Sequence, residues 1–193
     1  MPYDPEATRA RIFAAAVEEF ARHGIAGARV DRIAGTAKAN KQAIYLYFGD
    51  KERLFAAVLQ SRLDDLAAAV AITPERVPDY IGELFDYIAE HPELARLLVW
   101  EGLESTPDRD VAGVESRRAH YAHKVELLES GQKSGHIDTA LDTRRLLATL
   151  IGMVHWYFTV PQVNRMILGE AAEDLAAQRD FLVDAARRLV SRP

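Results

Sequence analysis

The side chains best equipped for recognition chemistry fall in one short run, Lys41-Gln42-Ala43-Ile44-Tyr45-Leu46-Tyr47-Phe48, with Lys51 just beyond it. At about 100° per residue on a helix, Ile44 and Phe48 share one face while Gln42, Ala43, Tyr45 and Leu46 fall on the other, where no core needs them all. That outer face suits the edges of base pairs. Gln42 has the paired donor and acceptor that match adenine, Ala43 and Leu46 can meet a thymine methyl, and Lys41 can take guanine or a phosphate. The hydroxyls of Tyr45 and Tyr47 suit phosphate oxygens, and Lys51 opens the next helix, whose N-terminus itself favours an anion. The chemistry expected is docking of one helix into the major groove of double-stranded DNA.

A second set lies further along the chain. Phe85, Trp100, Tyr121, Met153, His155, Trp156 and Tyr157, with Phe158 and Met166, form an aromatic and methionine group suited to a small, largely apolar effector. The same residues at helical spacing also serve as ordinary core. His155 stands out as a polar residue in a run that otherwise reads as buried, able to orient a ligand or to satisfy a carbonyl. His120 and His123 share one helix side, but no carboxylate or cysteine stands at ligand spacing, so no metal is expected. The chain carries no nucleophile elbow, phosphate loop, dinucleotide fingerprint or zinc-protease motif, so neither catalysis nor a cofactor is expected.

Several elements must position these residues. Asp4-Pro5 reads as the cap and first position of a helix whose stripe is Ile12, Phe13, Ala16, Val17 and Phe20, ending at Gly24. A second short helix holds Ile33, Ala34 and Ala37, small enough to let a neighbour cross closely. Lys38-Ala39 breaks the pattern and Asn40 caps the helix Lys41 to Phe48, which makes a helix-turn-helix. Asp50 caps a fourth helix with Leu54, Phe55, Val58, Leu59, Leu66 and Val70 inward, and Ile72-Thr73-Pro74 marks an internal boundary. A fifth helix buries Val77, Ile81, Leu84, Phe85 and Ile88 and stops near His91; Pro92 starts a sixth. A loop is expected from Glu104 to Asp110, then a long helix from Val111 to Gln132 with Val114, Tyr121, Val125 and Leu128 inward. A turn follows from Gly131 to Asp138. Asp142 opens an eighth helix that is apolar nearly all round, ended or kinked by Pro161, and the last helix is expected from about Ala171 to Ser191.

Composition bounds the class. The 193 residues are 49% hydrophobic and 27% charged, an ordinary globular profile with ample length for a core. Cysteine is absent, which fits a reducing cytoplasm, and the opening MPYDPEATRAR is too polar for a secretory signal. The run from Leu146 to Val160 is too short to span a bilayer, so no membrane partner is expected. The net charge of −5 is unevenly placed: residues 1 to 53 hold nine Lys/Arg against seven Asp/Glu, leaving −7 on the rest. A slightly basic head on an acidic body is the asymmetry of a modest, salt-sensitive DNA reader.

The string IAGTAKANKQAIYLYFGDKERLF, preceded by Ile12, Ala15, Ala16, Phe20 and Gly24, resembles the DNA-binding domain of TetR-family transcriptional regulators. The resemblance implies an all-α fold of about nine helices. Residues 1–50 would form a three-helix helix-turn-helix domain and residues 51–193 a larger helical ligand-binding and dimerisation domain. It also implies DNA contacts at the positions of Lys41, Gln42, Ala43, Tyr45, Leu46, Tyr47 and Lys51. A homodimer joined through the last two long helices would bind a palindromic operator, most often as a repressor, and be released by the effector. The alternative is a helical small-molecule or protein-binding module without operator binding. Two positions depart from the family pattern: Lys38 stands where glycine is usual, and Ala28 where a threonine often touches phosphate, which passes that contact to Arg29.

Overall fold

The computed structural model describes residues 4–104 and 113–191. Among them the chain forms ten α-helices and no strand: α1 (Pro5–Gly27), α2 (Val30–Ala37), α3 (Lys41–Phe48), α4 (Lys51–Ala69), α5 (Val77–Glu90), α6 (Pro92–Glu104), α7 (Val114–Ser134), α8 (Thr143–Thr159), α9 (Pro161–Leu168) and α10 (Leu175–Val190). The all-α expectation holds, and the local signals explain most boundaries. The Asp4 carboxylate accepts from the Glu6 and Ala7 amides, Asn40 from Gln42, Asp50 from Arg53 and Asp142 from Arg145.

The later boundaries differ from the sequence reading. Pro161 does end α8, but it also opens α9, since proline costs nothing at a first helical position. Gly169 then turns the chain with φ +59° into a 3-10 segment, Gly169–Glu173. α10 starts only at Leu175, where Asp174 caps the Ala177 amide, later than the Ala171 expected. Gly131 lies inside α7 rather than opening a turn. Its missing side chain admits Ile137, whose Cδ1 would stand 2.7 Å from a Cβ there, and the turn falls instead at Gly135. Glu104 belongs to α6; the rest of the loop expected to Asp110, and the helix start at Val111, lie outside the described residues.

Two compact units divide the chain, one of residues 1–65 with 93–114 and the other of residues 66–92 with 115–193. In the first, α1 packs on α2 and α3 around Ile12, Ala16, Phe20, Ile33, Ala37 and Ile44, each at most 2% exposed. Phe20 meets Phe55 of α4 edge to face, ring centres 5.2 Å apart. α6 joins this unit through Arg96 Nε and Trp100 Nε1, which both donate to the Ala21 carbonyl. In the second unit α5 lies along α10 and α8, with Ile81, Leu84, Phe85, Ile88, Leu150, Val154 and Ala186 buried. The Arg179 guanidinium crosses Gly82 and bonds both Asp86 carboxylate oxygens at 2.8 Å.

Candidate nucleic-acid interface and effector residues

The α3 helix is anchored by one residue and presents the others. Ile44 is 1% exposed, whereas Tyr45 is 46% and Leu46 80% exposed; Lys41 and Gln42 are open as well. Ala43 and Tyr47 sit half-buried at the edge. Phe48 is half-buried too, with the Arg9 guanidinium 5.6 Å from its ring centre. The face that rotation assigned to a groove therefore projects from the unit on a helix held from behind.

The turn before α3 is tight. Lys38 caps α2 in the left-handed region, φ 49° and ψ 45°, its amide bonding back toward Ala34 and Gly35. A lysine here adopts the conformation that glycine takes without strain, at a cost of roughly 1 kcal/mol.

Fixed charges surround this surface. Lys41 Nζ pairs with Asp31 at 2.9 Å, and that bond raises the lysine pKa above its ordinary value. Both groups are exposed, so a phosphate can replace Asp31 at little cost. Lys51 Nζ lies 3.4 Å from the Ala28 carbonyl, at the start of α2. Arg29 is exposed, while its backbone amide donates to Glu19 Oε1 at 2.8 Å. Glu19 also holds the Arg32 guanidinium at 2.6 Å. Burial works to raise the Glu19 carboxyl, but the bonds from Arg32 and Arg29 outweigh it and hold the pKa below the usual carboxylate value. The sequence reading missed Glu19. Its side chain ties down the start of α2, where Ala28 offers no cap of its own.

The effector candidates do not gather in one place. Phe85, Tyr157 and Phe158 form a cluster, with Phe85 ring centres 5.5 Å from Tyr157 and 4.9 Å from Phe158. The Tyr157 hydroxyl donates to the Ala172 carbonyl, and burial raises its pKa, with Asp174 and Glu173 adding to the shift. Met153 and His155 are half-buried on α8, and burial lowers the His155 pKa. Trp156 is 52% exposed on the outer side of α8. Tyr121 lies on the rim of an open groove of about 770 Å³ between α7 and α8, floored by Val125, Leu147 and Ile151. Trp100 belongs to the first unit, its ring 2.7 Å from where a Gly24 Cβ would be. Because Gly24 has φ +67° and no side chain, the indole fits against α1.

α7 corrects the sequence reading most clearly. Its buried residues are Lys124, Leu128 and Gly131, and Tyr121 faces out. Of the expected apolar face, Leu128 is buried and Val114 and Val125 are half-buried, whereas Tyr121 is 39% exposed. Lys124 lies one helical turn before Leu128, so spacing alone could have marked it.

What this geometry defines is a helix-turn-helix protein with a short exposed reading helix on a packed support. Residues 12–58 match the family model described as bacterial regulatory proteins, tetR family, and residues 76–188 match the tetracyclin repressor-like C-terminal domain. The HTH-type transcriptional repressor SCO4008 of Streptomyces coelicolor is 49% identical over 189 residues, 98% of each chain. The HTH-type transcriptional repressor NicS of Pseudomonas putida is 26% identical over 186 residues, 91% of this chain and 87% of its own. The crystal structure of SCO4942 from Streptomyces coelicolor superposes with a TM-score of 0.86 at 38% identity, covering 96% of this chain and 99% of that one. FadR of Bacillus subtilis, solved with stearoyl-CoA, shares the fold at a TM-score of 0.70 and 23% identity over 94% of this chain and 99% of its own. The chain belongs to the TetR family and is a DNA-binding transcriptional regulator.

Proposed function

We propose that this protein is a ligand-responsive repressor that binds a palindromic operator as a homodimer. The observation that carries the reading is the outward projection of Gln42, Tyr45 and Leu46 from an α3 anchored by Ile44. One such helix touches too few bases to be specific, so two copies must act together, with half-sites about 34–36 Å apart or a multiple of that. The DNA-reading domain is residues 1–50. Gln42, Ala43 and Leu46 read bases, and Arg29, Lys41, Tyr45, Tyr47 and Lys51 hold phosphates.

Exposed apolar surface on α8 and α10 supports an isologous four-helix contact between protomers. Trp156 on α8 and Phe181 on α10 are 52% and 68% exposed, and Ala148 and Gly152 leave room on α8 for a close crossing. The effector binds in the ligand-binding and dimerisation domain, residues 51–193, near Phe85, Tyr157 and His155. α4 runs from one compact unit into the other at Asp65 and Leu66, so it is the element that carries the effector's influence. Coupling of 1–3 kcal/mol between effector and operator is typical of such systems. The repressor names of SCO4008 and NicS support the sign of the response.

Fluorescence anisotropy on DNA flanking the protein's own gene tests this. Saturable, salt-dependent binding by a dimer is expected. Gln42→Ala should weaken it roughly 5- to 100-fold while leaving the fold intact, one bidentate base contact being worth about 1–3 kcal/mol. Absence of saturable binding to any such fragment, or a strictly monomeric protein by light scattering, rejects the reading.

A further inference from the structure

α7 carries a buried cation that pairs with no carboxylate among the described residues. Lys124 is 7% exposed; its Nζ donates to the Tyr80 hydroxyl at 3.1 Å and stands 4.7 Å from the centre of the Tyr80 ring. Tyr80, on α5, is itself 2% exposed. Among the described residues no carboxylate pairs with Lys124, and the Tyr80 hydroxyl, having accepted from the lysine, finds no acceptor for its own proton. Two other titratable groups act on the pair, His120 on Lys124 and Tyr121 on Tyr80, and neither is a carboxylate. Burial lowers the Lys124 pKa to about 8, so the cation still predominates at neutral pH. His120 is pushed below its ordinary value by burial, with Lys124 and His123 adding to the shift, which keeps it neutral there.

The Tyr80 hydroxyl and ring offset only part of the cost of burying this charge. A methionine would fill the same volume beside Leu128 without the desolvation cost, and a buried ammonium with one neutral partner is unfavourable. What the pair supplies is two buried donors, an ammonium N–H and a phenol O–H, with no further acceptor among the described residues. A planar group with two negatively charged oxygens satisfies both at once.

We propose that Lys124 and Tyr80 anchor the carboxylate of an otherwise apolar effector, an organic acid. This rests on the effector-binding role proposed above and narrows that ligand from apolar to apolar with one acidic end.

The test uses the full-length protein and two matched probe pairs, decanoate with decanol and 2-naphthoate with 2-naphthalenemethanol, plus decylammonium, with binding followed by calorimetry at pH 7. At least one acid should bind about 10-fold or more tightly than its alcohol, as expected for a charge-assisted contact away from water. Lys124→Met should abolish that preference while leaving alcohol binding unchanged, and Tyr80→Phe should reduce it. Acid affinity should fall as the pH rises through about 8, where the lysine loses its proton. Lys124→Met should melt at or above the wild-type temperature. Equal binding of acid and alcohol, absence of acid binding, a preference for decylammonium, an acid preference that survives in Lys124→Met, or a clear fall in that variant's melting temperature would each overturn the proposal. Operator binding of the ligand-free protein is measured alongside. Its absence rejects the regulator reading, whereas tight operator binding without acid preference rejects this inference alone.

Discussion

Glu19 and Lys124 are both ionisable side chains largely withdrawn from water, and they are treated in opposite ways. In the DNA-reading unit Glu19 meets a backbone amide and a guanidinium, so its charge is fully answered within the chain. In the second unit Lys124 has only the Tyr80 phenol among the described residues. A satisfied buried charge fixes geometry, as a reading helix needs. An unanswered one leaves free energy that a bound molecule can recover, as a responsive site needs.

That contrast can be broken experimentally, the largest effect being on the side of the lysine. Because its folded pKa of about 8 lies below the ordinary 10.5, the unfolded chain binds more protons between those values, and stability should rise with pH across that window. The gain should approach about 3 kcal/mol by denaturant unfolding and be missing from Lys124→Met; a flat profile in the wild type would show that the charge is answered after all. Glu19→Ala should cost about 1 kcal/mol and weaken operator binding, since it removes the acceptor of the Arg29 amide and leaves Arg32 held only by the Gly27 carbonyl. The Glu19 contribution is present above the ordinary carboxylate pKa of 4.5 and is lost as the pH falls through its lower folded value. Thermal melts at pH 7 and below pH 4 separate the two cases.

Two smaller effects sharpen the picture of the reading unit. Lys38→Gly should change stability by less than about 0.5 kcal/mol, relief of left-handed strain offsetting the added chain entropy, whereas Lys38→Val should lose more than about 1 kcal/mol by denaturant titration. Lys41→Ala should leave the melting temperature unmoved, its ion pair with Asp31 being exposed. It should also make the dependence of log operator affinity on log salt shallower by about 1, as loss of one phosphate contact requires.

The reading unit was legible because its signals are local. Asn40 and Asp50 cap α3 and α4 through bonds two or three residues away, and the 3.6-residue period alone separates Ile44 from Leu46. The second unit was less so. Spacing could set Lys124 beside Leu128 on α7, but only the tertiary structure shows a charge turned in against Tyr80 of α5.

By itself, then, the sequence determined the all-helical class, the helix-turn-helix and the outward residues of α3, since caps, breaks and periodicity act within a few residues of their cause. The tertiary structure decided that Trp100 lies against Gly24, that Ile137 packs over Gly131, that Glu19 ties down α2 and that Lys124 meets Tyr80. Those contacts join positions up to 79 residues apart, as in the bond from Trp100 to the Ala21 carbonyl. They depend on which helix faces which, and no short-range pattern records that choice.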